Sequence, residues 1–390
     1  MDINFFEEAI QQLEDKNLRR KMRTVSGVQS REIVLDGKKV LNFCSNNYLG
    51  LADDPRLVEA AEDALKTQGF GSGASRLVCG NFDEHKQLEE ELARFKKTES
   101  ALFFTSGYMA NVGIIPAICG RDDIVLSDKL NHASIIDGII LSRAEFKRYA
   151  HNDMDALKEI LEGATHFGKR LIVTDTVFSM DGDCASLKEI VMLAKKYNAI
   201  VMVDEAHAFG VLGKQGMGLV EELGLEGQVD IQMGTFSKAA GSFGAYCCGS
   251  KALIDYLVNH ARSLIYTTGL PAVVAAVSRK AVDIIVEEPQ RREKLLRNAG
   301  WLRSNLKRLG FDTLQSQTPI IPVLVKDAGL ANDFSHKLLE KGIFVQAIRP
   351  PTVAVNTARL RLTVMATHTQ QDLDTFLKYA EDVGEQLGLI

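Results

Sequence analysis

Between about residue 100 and residue 250 the chain repeats one pattern, a short and almost uninterrupted apolar run followed by a helical stretch. ALFFT, DIVLSD, FKRYA, RLIVTDT, AIVMVDEAH, VDIQMGTF and GAYCCG are the strand candidates. SGYMANVGIIPAI, HASIIDGIILS, DMDALKEILEG and SLKEIVMLAKKYN read as helices between them. Strands this continuously apolar belong to a mainly parallel sheet covered by helices on both faces. The expected fold class is therefore α/β, with a large domain on a mainly parallel seven-stranded sheet.

Around this centre the chain is expected to divide into an N-terminal arm and hairpin (1–45), the large domain (46–285) and a smaller C-terminal α/β domain (286–390). Phe5, Ile10, Leu13 and Leu18 recur at helical spacing, which predicts an amphipathic helix over about 4–22. Asp36-Gly37, set in REIVLDGKKVLNF, predicts a two-residue hairpin turn. Asp54-Pro55 combines a capping residue with proline at the first helical position and starts a helix to about Gln68. EEPQRREKLLRNAGWLRSNLKRLG reads as a charged helical stretch, followed by IIPVLVKD, a helix over 329–341, IFVQAIRPP, ARLRLTVM and a terminal helix.

Composition narrows the class of activity. With 46% hydrophobic and 25% charged residues, the chain can bury enough apolar surface to fold. Its 46 Lys+Arg against 51 Asp+Glu leave a net charge of −5, which argues against a nucleic-acid partner. The six cysteines form no CxxC pair, so reduced thiols, a cytoplasmic location and no metal centre are expected. No apolar run approaches the ~18 residues of a membrane helix, and the acidic N-terminus lacks a secretory core, so no membrane partner is expected.

Three motif matches are set aside. GATHFGKR lacks the Ser or Thr that completes a phosphate loop and precedes a strand instead of following one. DEAH has no phosphate loop to serve, and GFGSGA follows a helix, the wrong setting for a dinucleotide turn.

The informative residues sit where strands end. AIVMVDEAH is a buried strand closing on Asp204, with His207 three residues on. In an open α/β sheet the carboxyl ends of strands face the ligand crevice. There an ionised Asp is costly without a cationic partner; the plainer alternative is a helix cap. Lys238, in TFSKAAGSFG, follows another apolar strand between hydroxyl residues and a glycine-rich turn. A crevice lysine can lose its proton and act as an amine nucleophile, although a surface loop would equally carry one. Together a buried carboxylate, a crevice lysine and nearby hydroxyls suit pyridoxal phosphate (PLP), which needs a lysine for its Schiff base and an Asp at its ring nitrogen.

The phosphate cradle is expected at Thr105, Ser106, Gly107 and Tyr108, where a strand gives way to a helix N-terminus, aided by Thr235 and Ser237. His132 opens another strand-to-helix junction and could stack on a heterocycle or simply cap the helix. Ser179 follows RLIVTDT and could bond the ring or form a turn. Arg359 and Arg361 alternate onto one face of ARLRLTVM, so one of them is a candidate for a substrate carboxylate; a solvated outer face is the alternative.

With these residues in view, the chain resembles the α-oxoamine synthase family of fold-type I PLP enzymes almost end to end. The resemblance is carried by NFCSNNYLGL, GFGSGASRLVCG, FFTSGYMAN, LNHAS, VFSMDGD, VDEAHAFGVLG, TFSKAAGSFG, IYTTGLP and ARLRLTVMATH. It implies a decarboxylative condensation of an amino acid with an acyl thioester, with PLP as cofactor. Lys238 would carry the cofactor and move the Cα proton, Asp204 would meet the ring nitrogen and His207 the phenolic oxygen, and His132 would stack on the ring near Ser179. Ser106, Gly107, Tyr108, Thr235 and Ser237 would hold the phosphate side, with Thr268 reaching across from a second subunit of a homodimer with shared sites. Arg361 would take the amino-acid carboxylate, Asn47 would line the substrate site, and Arg19 and Thr352 would meet the acyl substrate. The run Ala347–Val353 points to L-alanine and a pimeloyl thioester, on CoA or an acyl carrier protein, as in biotin biosynthesis. Glycine with acetyl-CoA is the alternative pair, and a non-catalytic partner subunit on the same fold is the alternative of another class.

Overall fold

The computed structural model describes residues 4–390, and the chain forms two compact units. One comprises Leu51–Ser179 and Cys184–Arg292; the other comprises the residues up to Gly50, Met180–Asp183 and Glu293–Ile390.

The first unit is built on a seven-stranded sheet in the order Ser100–Phe104, Ala245–Gly249, Ile231–Thr235, Ile200–Asp204, Arg170–Asp175, Ile124–Asp128, Glu145–Tyr149. All seven strands coincide with the apolar runs read from the sequence. Only Ala245–Gly249 runs antiparallel, paired on both sides; the remaining pairs are parallel. The central strands are buried along nearly their whole length, as a sheet sandwiched between helices requires. One face packs Val125, Leu171, Val173, Met202, Ile231 and Met233 against Ile114, Ile115, Ile135 and Ile139 of the helices Gly107–Ile118 and Ala133–Ser142.

Helix starts follow local chemistry. Asp54 accepts the Arg56 N–H ahead of Pro55–Gln68, Ser106 that of Met109, and Asp153 that of Ala156. Gly241, with φ +62, lies where a Cβ would come within 2.4 Å of the Ala52 backbone nitrogen, so a side chain is excluded there.

In the other unit, Glu32–Leu35 and Lys38–Asn42 form the expected hairpin, with Asp36 and Gly37 at φ +48 and +81, the signature of a type I′ turn. Ile343–Phe344 pairs parallel with the second hairpin strand. A three-stranded antiparallel sheet joins Ile320–Lys326, Ala358–Thr363 and Gln346–Ile348. The helices Ala328–Glu340 and Gln370–Gln386 fall where the sequence placed them.

The N-terminal helix is shorter than its apolar spacing implied. It ends at Asp15, because Asn17 takes a left-handed conformation (φ +56) and the amides of Leu18 and Arg19 both turn back to the Leu13 carbonyl. Asparagine tolerates that conformation better than other non-glycine residues.

Ile114 is fully buried in the sheet-covering core. Ile114→Ala is expected to destabilise the protein by about 2–5 kcal/mol, read as a lower denaturant midpoint at unchanged slope.

Candidate active site

Four neighbouring strands of the large sheet end in Asp128, Asp175, Asp204 and Thr235. Asp204 is 4% exposed. Its Oδ2 accepts from Asn111 Nδ2 at 2.9 Å and its Oδ1 from the Ala206 N–H at 2.9 Å. Its carbonyl takes both the N–H and the hydroxyl of Thr176. Backbone and side chain are thus fixed by the segment after Arg170–Asp175, by the turn after Asp204 and by one helix. The Asn111 and Ala206 donors fix the orientation of a buried carboxylate, an arrangement that suits a cationic group laid against it.

His132 caps the helix Ala133–Ser142. Its backbone N–H donates to Asp175 Oδ2 at 2.6 Å, and its Nδ1 accepts from the Ser134 N–H. With Nδ1 occupied as an acceptor, the ring proton of the neutral form is assigned to Nε2. The ring is exposed, yet the protein around it strips away enough water to lower its pKa below 6.5, with the Lys238 charge acting the same way and Asp204 opposing. The neutral ring can therefore lie against another flat ring without charge repulsion.

Lys238 stands half-buried in the turn after Ile231–Thr235, and its carbonyl accepts the Gly241 N–H at 3.0 Å. His207 is buried in the turn that follows Asp204. Ser179 is half-buried beyond the end of Arg170–Asp175.

The residues proposed for the phosphate converge. A Cβ added to Gly107 would approach Thr235 Cβ to 4.0 Å, so the helix N-terminus lies beside that strand end. Thr235 Oγ1 donates to the Gly244 carbonyl at 2.7 Å and lies 2.8 Å from Ser237 Oγ, while Ser106 accepts the Met109 N–H. Thr105 Oγ1 is buried without a hydrogen-bond partner among the described residues. An orphaned hydroxyl at a helix N-terminus beside further hydroxyls is a donor set that fits a phosphate group. Tyr108 is exposed and its hydroxyl donates to Asp137; Thr268 is exposed as well. The residues present therefore fit PLP: an anion for its ring nitrogen, a lysine for its carbonyl and a phosphate cradle.

In the other unit both Arg359 and Arg361 are buried, so the solvated-face alternative does not hold. Arg359 is committed to Asp181 and to the carbonyls of Thr357 and Met180. Arg361 donates to the neutral oxygens of Asn46 and Thr363. Asn47 is buried, with Nδ2 donating to the Gln29 carbonyl. Arg19 pairs with Glu14, whereas Arg20 donates to Thr352 Oγ1 at 3.0 Å. A cavity of about 580 Å³ carries Arg19, Lys21, Arg23 and Arg349 in its wall, together with Glu14 and Asp36, which pair with Arg19 and Arg23. Arg349 has its pKa lowered by burial and by the charge of Arg20.

The aminotransferase class I and II family profile matches residues 38–379. The chain belongs to this family. Family relatives include the 8-amino-7-oxononanoate synthases of Geobacter sulfurreducens, 51% identical over 98% of both chains, and of Thermosipho melanesiensis, 48% identical over 100% of both. Among solved structures, a serine palmitoyltransferase from S. paucimobilis with bound PLP superposes with a TM-score of 0.95 at 34% identity, covering 100% of both chains. The 8-amino-7-oxononanoate synthase of Francisella tularensis gives a TM-score of 0.79 at 30% identity, covering 90% of this chain and 99% of that one. The fold is that of fold-type I PLP enzymes, the cofactor is PLP, and the chain is an acyltransferase of the α-oxoamine synthase type.

Asn111 and Asp175 were not singled out from the sequence. Asn111 carried a faint signal as a polar residue inside the apolar helix GYMANVGIIPAI. Its hydrogen bond to a buried anion is worth about 1.5–3 kcal/mol. Asn111→Ala is accordingly expected to destabilise the folded protein by about that amount, measured as a lower denaturant midpoint.

Proposed function

We propose that this chain joins L-alanine to a pimeloyl thioester, carried on CoA or an acyl carrier protein, with release of CO₂ and the free thiol. The product is 8-amino-7-oxononanoate, a step of biotin biosynthesis. The observation that carries the choice of acyl group is the crowding of Arg20 and Arg349 beside Thr352. Like charges held together favour an anion beside them, and the free carboxylate at the far end of a pimeloyl chain supplies one. An acetyl group brings no such charge, which disfavours glycine with acetyl-CoA. Arg20 is a better acyl-side residue than Arg19, whose charge is spent on Glu14.

Each residue then has a task. Bound PLP supplies a protonated ring that withdraws electrons from the amino acid's Cα. Asp204 holds the proton on the ring nitrogen, and Asn111 and Ala206 keep that carboxylate in place. His132 stacks on the ring, and His207 and Ser179 fix its phenolic side. The hydroxyls of Ser106 and Ser237, the Gly107 amide and Tyr108 bind the phosphate, Thr235 lies on the same side and holds Ser237 in place, and Thr268 is contributed across a homodimer. Arg361 binds the alanine carboxylate and Asn47 lines the same site. Lys238 Nζ takes the Cα proton, freeing that carbon to attack the thioester carbonyl. All six cysteines are free, which suits the reducing cytoplasm in which we place this reaction. No helix among the described residues is long and apolar enough to cross a membrane.

A pair about 4 Å apart at an effective dielectric of ~20 interacts by about 4 kcal/mol, or roughly three powers of ten in rate. Asp204→Asn is therefore expected to keep bound cofactor and lose about a thousandfold in turnover, and Lys238→Ala to lose multiple turnover altogether. Single- and multiple-turnover assays check both. A panel of acetyl, pimeloyl and palmitoyl thioesters against alanine, glycine and serine, read as released thiol, is expected to favour pimeloyl with alanine. Preference for acetyl with glycine would overturn the proposal.

A further inference from the structure

Two carboxylates end adjacent strands at the site, and the proposed mechanism uses only one. Asp175 and Asp204 are paired in register on parallel strands, so their side chains leave the sheet on the same side about 5 Å apart. Asp175 is 4% exposed. Hydrogen bonds link the two acids by a second route. Asp175 Oδ2 accepts the His132 N–H at 2.6 Å, His132 Nδ1 lies 2.8 Å from Ser134 Oγ, Ser134 Oγ accepts from Asn111 Nδ2 at 2.9 Å, and Asn111 Nδ2 also donates to Asp204. The backbone N–H of Asp175 donates to Asn131 Oδ1, which ties the residue before His132 to the same strand end.

We propose that Asp175 is a positioning residue that works as an uncharged carboxylic acid, anchoring His132 over the cofactor while leaving Asp204 the single anion of this network. This rests on the assignment of Asp204 and His132 to the cofactor. Two buried carboxylates at this spacing cannot both ionise at low cost, and the one that meets a cationic ring keeps the charge.

The groups facing Asp175 come from every neighbouring element. They are Asp204 and Asp128 on the flanking strands, His132 at the helix start, and Lys238 in the turn beyond Ile231–Thr235. Burial raises the Asp175 pKa well above the usual carboxylate range, and Asp204 and Asp128 push the same way, whereas the His132 hydrogen bond and Lys238 oppose. The neutral acid still accepts the His132 N–H through its carbonyl oxygen. It adds no second negative charge that would raise the proton affinity of the cofactor.

The test compares Asp175→Asn with Asp175→Ala in the full-length holoenzyme. Asparagine keeps an acceptor for the His132 N–H and carries no charge, so it imitates the proposed state. The absorbance of bound PLP, followed from acid to alkaline pH, is expected to keep its midpoint in Asp175→Asn to within a few tenths of a unit. Loss of an ionised carboxylate this close would instead lower the midpoint by roughly one unit or more. Asp175→Ala removes the acceptor and is expected to lose about tenfold in kcat/KM, with Asp175→Asn recovering most of that loss.

A midpoint lowered by a unit or more in Asp175→Asn overturns the proposal, as does an Asn variant as poor as the Ala variant. If Asp175→Ala does not fold, the Asn titration decides the question alone. Failure of the unaltered chain to take up PLP at all would overturn the reading of the site itself, and this proposal with it.

Discussion

An anion buried at the end of a parallel strand is the constraint around which this protein is arranged. Parallel strands collect their carboxyl ends along one edge of the sheet, and here adjacent strands finish on Asp128, Asp175 and Asp204. Each acid needs compensation, and each has a distinct one. His151 pairs with Asp128 at 3.0 Å, the His132 amide serves Asp175, and Asn111 and Ala206 serve Asp204. His132 begins the helix Ala133–Ser142 and Asn111 lies in Gly107–Ile118, so these contacts tie two helices to the same edge of the sheet.

A related division holds behind the strand end. Glu205, next to Asp204, is fully buried and pairs with Lys96, which is also buried. Glu205 accepts from the Val220 N–H and Lys96 donates to the Met217 carbonyl. That neutralised pair pins the turn bearing His207 from behind. In the other unit Arg359 is consumed by Asp181, while Arg361 donates to neutral oxygens. In both places two residues of like charge, close in the sequence, differ in what lies opposite them.

The large sheet was legible because its signal is one of composition over short windows: a strand covered on both faces must be apolar throughout. The hairpin at Asp36-Gly37 and the helix Pro55–Gln68 were legible because turn and cap chemistry is local. The end of the N-terminal helix was not, since apolar spacing continued to Leu18 while Asn17 broke the backbone. Lys238, Asp204 and His132 could be proposed because strand ends predict where a crevice forms. Asn111 could not be tied to Asp204, because 93 residues separate them and no periodicity links an amide to a carboxylate in another element. The same holds for the hydrogen bond from Arg20 to Thr352, 332 residues away.

The amino-acid sequence by itself determined the α/β class, the strand boundaries and the chemical types available at the strand ends, because burial and turn formation are decided by neighbours along the chain. Tertiary structure decided which of those groups are charged partners, which are hydrogen-bond anchors and which remain for substrate. Charge state and orientation depend on solvent exclusion and on groups brought from distant segments, and only the folded chain sets those distances.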